Sequence, residues 1–150
     1  MYKKFALMLF SAAGAVALQA TAATAGWVSY GSTNPITSSS SSWKCGTTKP
    51  VTTDGQVLSQ VCTVRSPTGQ SVRGAVIVRN NKTSLFTTIA GMVVYYSYPG
   101  AFRDNSDCSE SGIAPNSWSV CFGTTFEANG DSYYTYGSAN NVLLPRSATN

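Results

Sequence analysis

The side chains in this sequence that could do chemistry are few. There are four cysteines (Cys45, Cys62, Cys108 and Cys121), six carboxylates and ten basic residues, and there is no histidine. Without an imidazole there is no Ser-His-Asp triad, no Cys-His pair and no His-ligated metal. No serine stands in Gly-x-Ser-x-Gly, the strand-to-helix turn that exposes a hydrolase nucleophile. Carboxylate chemistry is what is left. Glu127 and Asp131 flank Asn129-Gly130, and Asp104, Asp107 and Glu110 could supply a partner. A glycoside hydrolase needs two such carboxyls in a closed cleft, one of them kept protonated by its surroundings. A hairpin tip is open to water, so it favours ordinary carboxylates, and the chain is expected not to be an enzyme. The run Asp104-Asn105-Ser106-Asp107-Cys108-Ser109-Glu110 also makes Asp104, Asp107 and Glu110 candidate calcium ligands, because calcium takes six to eight oxygens. Glutamate stands where a calcium loop would need glycine, so the run reads rather as a solvated segment, and no metal is expected. No cofactor is expected.

Aromatic side chains are the more suggestive feature. Tyr95, Tyr96 and Tyr98 fall in one apolar block, and Tyr133, Tyr134 and Tyr136 in another. At a strand's period of two, Tyr96 shares a face with Tyr98, and Tyr134 with Tyr136. Four rings on one sheet would form a platform able to stack on a sugar or a peptide while their hydroxyls hydrogen-bond. Tyrosine is also a favoured strand residue, and cross-strand tyrosine pairs stabilise sheets with no ligand present. Trp118, next to a cysteine-bearing block, is expected in the core.

The compartment is written at the start of the chain. Met1-Tyr2-Lys3-Lys4 is a short basic opening, residues 5–18 form an apolar run interrupted only by Ser11, and Ala23-Thr24-Ala25 has the small-x-small form of a cleavage site. That run is short for a bilayer span of about 20 residues, so residues 1–25 read as a signal peptide rather than an anchor. With Lys3 and Lys4 removed, basic residues outnumber acidic ones by two and are scattered singly. No basic stripe for nucleic acid exists, and nothing after the cut would hold the protein on a membrane. Four cysteines after an export signal read as two disulfides. Three connectivities are open, and pairing neighbours, Cys45 with Cys62 and Cys108 with Cys121, closes the shortest loops. No Cys-x-x-Cys spacing supports zinc.

The elements that must position these residues read as strands. After the signal, short blocks rich in Val, Ile, Tyr and Thr are cut by turn residues, and no long 3.6-period stretch occurs. Gly26–Tyr30 reads as a first strand, followed by a serine-rich flexible segment, so that residues 26–43 precede the main domain at 44–144. Residues 56–65 and 70–79 form a hairpin across Ser66-Pro67-Thr68-Gly69. Residues 84–90 and 92–98 read as two strands broken at Gly91, and residues 99–116 as a long polar loop pinned by Cys108. Strands at 117–126 and 131–136 flank Asn129-Gly130, the strongest hairpin signal in the chain. A short edge strand at 142–144 precedes a tail, 145–150. Six to eight strands with two bridges predict an all-β domain: an antiparallel two-sheet sandwich, immunoglobulin-like or related, with a small β-barrel as the alternative. The segments Ile113–Trp118 and Val76–Asn80 resemble the proline-bearing corner and a strand end of bacterial immunoglobulin-like modules, which implies the same architecture.

Three functions follow as expectations. The first is a secreted or periplasmic, non-catalytic module that binds an extracellular carbohydrate or protein through Tyr96, Tyr98, Tyr134 and Tyr136. The second is an inhibitor of a secreted hydrolase acting through the disulfide-pinned loop 99–120. The third is a small carboxylate-dependent glycoside hydrolase.

Overall fold

A computed structural model describes residues 24–150, and the signal peptide expected at 1–25 lies outside them but for its last two residues. Eleven strands make up the fold, and the described residues contain no helix: β1 (Gly26–Gly31), β2 (Ser42–Cys45), β3 (Lys49–Pro50), β4 (Val57–Arg65), β5 (Ser71–Asn80), β6 (Phe86–Tyr96), β7 (Phe102–Ile113), β8 (Ser117–Phe122), β9 (Phe126–Glu127), β10 (Tyr133–Ala139) and β11 (Val142–Leu143). They form two antiparallel sheets. The larger has the order β1-β8-β5-β4-β2, with β3 also on β4 and β9 on β5; the smaller has the order β11-β10-β6-β7. The architecture is the expected two-sheet sandwich. Its strand number exceeds the six to eight expected because three strands are only two residues long, too short to show in a sequence pattern.

The β4–β5 hairpin shows how residue types set faces. It pairs without a break from Val57 opposite Asn80 to Arg65 opposite Val72. Gly69 closes its turn at φ 75°, a conformation natural to glycine. Val57, Val61, Val76 and Val78 then point inward, against Ala90 and Met92 of the smaller sheet. Burying each valine contributes about 1.5–3 kcal/mol relative to leaving it in water. Cys108–Cys121 crosses this core and ties β7 of one sheet to β8 of the other. Trp27, opposite Cys121 in the register, packs beside it and donates Nε1–H to the Ser109 carbonyl at 2.7 Å.

The larger sheet is covered on its outer face too. Cys62, Val64, Ala75, Ile77, Val120 and Phe122 form a second buried cluster, with Tyr30, Ile36 and Trp43 packed on it. Cys45–Cys62 lies here, joining directly opposed positions of β2 and β4. The serine-rich stretch between β1 and β2 supplies Ile36 as part of this cover. Asn34 organises it: its Oδ1 accepts the Ile36 N–H at 2.9 Å, and its carbonyl accepts the Ser38 hydroxyl at 2.8 Å.

The last residues form part of the smaller sheet. The Leu144, Ser147 and Asn150 amides donate to the Gly137, Thr135 and Tyr133 carbonyls, which extends β11 along the edge of β10. Ser147 thereby enters a fully buried hydroxyl cluster: Thr63 Oγ1 lies 2.7 Å from Thr135 Oγ1 and 2.9 Å from Ser147 Oγ, which also accepts the Thr135 amide. Asn150 Nδ2 reaches across the seam to the carbonyls of Ser42 and Thr63 in the larger sheet.

Three expectations are corrected. Gly91 does not end a strand; β6 runs through it. A Cβ there would collide with the Asp107 carboxylate on β7, so this glycine serves close packing rather than a break. The pinned loop at 99–120 is largely strand: residues 102–113 are β7, paired to β6, and residues 117–120 begin β8. Its polar composition hid the alternation, since only Ser106, Cys108 and Ile113 of β7 turn to the core. Trp118 is not core. It opposes Arg79 on the outer face of the larger sheet, half-buried, with the guanidinium 5.2 Å from its ring centre.

Candidate functional site

The outer face of the smaller sheet carries the aromatic surface, and the register decides its membership. β6 and β10 pair Tyr95 with Tyr134 and Tyr96 with Tyr133. Tyr96 and Tyr133 point to the core side, 5.1 Å apart; Tyr133 is fully buried and its hydroxyl donates to the Ala128 carbonyl at 3.0 Å. Burial is the main cause of a Tyr133 pKa raised above the ordinary phenol value, so this ring stays neutral in use. Tyr95, Tyr134 and Tyr136 point outward. Of the four tyrosines expected to form a platform, Tyr134 and Tyr136 are brought together and Tyr96 is turned away. Tyr98 lies past the end of β6, in the turn to β7 beside the cis peptide to Pro99, and is 89 % exposed. Tyr95, which period-two counting from Tyr98 excluded, takes the place of Tyr96.

Three rows cross the face. The first is Tyr134–Tyr95–Phe102: Tyr134 and Tyr95 are stacked at 5.6 Å and 15°, and Phe102 meets Tyr95 edge-on at 6.3 Å. Arg146 covers Tyr134 at 4.7 Å. The second row is Tyr136–Val93–Asn105, and the third is Leu143–Ser138–Gly91–Asp107. Tyr136 stands perpendicular to both stacked rings. Between the second and third rows lies an open groove of about 410 Å3. Its floor includes the bare backbone of Gly91, and its rim carries Tyr136, Asn105, Asp107, Ser138 and the exposed Leu143. Gly137, between the outward Tyr136 and Ser138, faces the core, where a Cβ would come within 2.8 Å of Val61.

The arrangement offers an apolar ring next to a carboxylate, an amide and a hydroxyl. The sequence marked Asn105 only as part of the acidic run, Leu143 only as part of an edge strand, and Ser138 not at all; the cross-strand register is what brings them to one groove.

The acidic residues do not make a centre. Extended backbone sends alternate side chains to opposite faces, so Asp104 and Asp107 on β7 diverge, and Asp104 Oδ2 is occupied by the Ser106 hydroxyl at 3.0 Å. Asp104, Asp107 and Glu110 therefore do not converge as calcium ligands, and among the described residues no three His, Cys, Asp or Glu side chains could hold a metal ion. Glu127 and Asp131 lie exposed on either side of the Asn129-Gly130 turn. The chain matches no known protein-family profile and no curated protein sequence.

Proposed function

We propose that this is a secreted, non-catalytic recognition protein that holds a carbohydrate in the groove on the outer face of the four-stranded sheet. One observation carries the reading: the Tyr136 ring borders the same groove as Asn105, Asp107 and Ser138, over the bare backbone of Gly91. A pyranose has an apolar face and a rim of hydroxyls. It is matched by one aromatic ring beside planar groups that accept and donate hydrogen bonds in pairs. Tyr134 is engaged by Tyr95 and by Arg146, whereas Tyr136 and Phe102 are exposed. Two disulfides suit an oxidising compartment, and no helix among the described residues is long and apolar enough to cross a membrane.

Retention of the protein on a panel of immobilised neutral and acidic polysaccharides tests this. At least one should retain it, and Tyr136→Ala and Asp107→Asn should each weaken retention by tenfold or more. Undiminished retention of both variants would remove the groove from the reading. Retention by none of the polysaccharides would transfer the same exposed aromatic face to a protein partner.

A further inference from the structure

A second concave site lies on the other side of the molecule, on the outer face of the larger sheet, and it is independent of the groove. The register sets Trp43 of β2, Val64 of β4 and Arg73 of β5 side by side. The Arg73 guanidinium lies over the Phe122 ring, 3.5 Å from its centre. It is half-buried, and desolvation pulls its pKa below the ordinary arginine value, although an arginine remains charged in a protein.

Arg73 has no acceptor, a lack it shares with Arg103 and Arg146, and it alone of the three borders this concave site. Arg65 donates to the carbonyls of Gly69, Asp131 and Asn150, and Arg79 donates to Asn81 and to the Asn116 carbonyl. Among the described residues Arg73 has neither a hydrogen-bond acceptor nor a carboxylate within ion-pair distance, the one ion pair being Lys82–Asp54. Glu127 comes closest in register, opposite Ser71, but it is exposed and borders a separate depression with Gln70 and Asn129. On the same row, Trp43 Nε1 is a second donor with no partner, buried inside the protein. Trp43 Nε1 is sealed from the concave site, so Arg73 is the charged donor that faces it, with no carboxylate in ion-pair contact.

Arg73 opens into a depression of about 110 Å3 bordered by Ser41, Ser66, Ser71 and Thr125. The Ser66 hydroxyl already accepts the Ser71 amide at 3.1 Å, which fixes that wall. We propose that this depression is a small-oxyanion site, in which Arg73 presents its fork to two oxygens of a sulfate, phosphate or carboxylate group and the Ser41, Ser71 and Thr125 hydroxyls turn to the rest. The guanidinium fork matches such groups bidentately, hydroxyls rotate freely to donate, and the volume admits one group rather than a large ligand.

Titration of the full mature chain with sodium sulfate, phosphate and acetate at constant ionic strength, against chloride, tests the site by NMR at the Arg73 Nε–H and the Ser71 amide. Both signals should shift saturably with at least one oxyanion and not with chloride. Comparison of acetate with sulfate and phosphate tells a planar carboxylate from a tetrahedral group. Arg73→Met keeps an apolar stem over Phe122 and removes the fork, so the affinity should fall at least tenfold. If that variant does not fold, Ser71→Ala with Thr125→Val leaves the arginine in place and should weaken binding severalfold. Shifts that only track ionic strength, or an affinity unchanged in whichever variant folds, would overturn the proposal.

Discussion

Tyr133 and Tyr136, three residues apart on β10, have opposite fates. Tyr133 is sealed in the core with its hydroxyl bonded, whereas Tyr136 is 48 % exposed at the groove. Tyr133→Ala should therefore cost about 3–5 kcal/mol of stability in denaturant unfolding. Tyr136→Ala should cost less than about 1 kcal/mol and act on binding alone. A large loss of stability at Tyr136 would make that ring structural. Asp54 gives a pH prediction at the same scale. The Lys82 ammonium, 2.8 Å away, and then Thr52 and the Gln56 amide hold its carboxyl far below the ordinary carboxylate range. A lowered folded pKa adds stability that is complete above the unfolded value of about 3.9 and fades only as pH falls toward the folded one. The stability difference between the natural protein and Asp54→Asn should thus be flat at neutral pH and shrink in acid. Because the pair is exposed, salt should shrink it too.

Elements were legible where pattern and pairing coincide. Residues 56–65 and 70–79 read as a hairpin because both are rich in Val and a Pro-x-Gly turn joins them. The break at Gly91 was misread because a glycine that admits a neighbour's carboxylate looks, in one dimension, like a glycine that ends a strand. β7 was missed because Asp, Asn and Ser seldom build strands. It is stable as one through its pairing to β6 and the bridge at Cys108, neither of which is a local property. The face of the candidate site was half legible: Tyr134 and Tyr136 follow from period two, but Tyr95 needed the register to β10. Residues 145–150 gave no strand signal, since their ordering comes from hydrogen bonds to β10 rather than from composition. Ser147 tests that account. Ser147→Ala leaves the Thr135 amide without its 2.8 Å acceptor inside the core, which should cost about 1–3 kcal/mol. A neutral result in thermal and denaturant unfolding would mean that water or Thr63 replaces the hydroxyl.

At the scale of the whole molecule, the two sheets are held together by the apolar core, by the Cys108–Cys121 bridge, and by hydrogen bonds across the seam, among them Thr63 to Thr135, Trp27 to Ser109 and those that Asn150 makes from β10 to β4. Replacing both Cys108 and Cys121 with alanine should lower stability by about 3 kcal/mol, the magnitude expected for a loop of this length. The protein should still fold, because the valines of β4 and β5 remain buried. Failure to accumulate would show that the core alone cannot keep the sheets in contact. The pairing of β1 with β8 has a further consequence, one of timing. Gly26 meets Phe122 and Trp27 meets Cys121, so the first strand of the sandwich cannot dock until almost the whole chain has emerged. Non-local pairing of this kind places folding in the range of about milliseconds to seconds rather than microseconds. Through that interval β5 waits with one edge bare, and two half-made copies can join edge to edge before either one is finished.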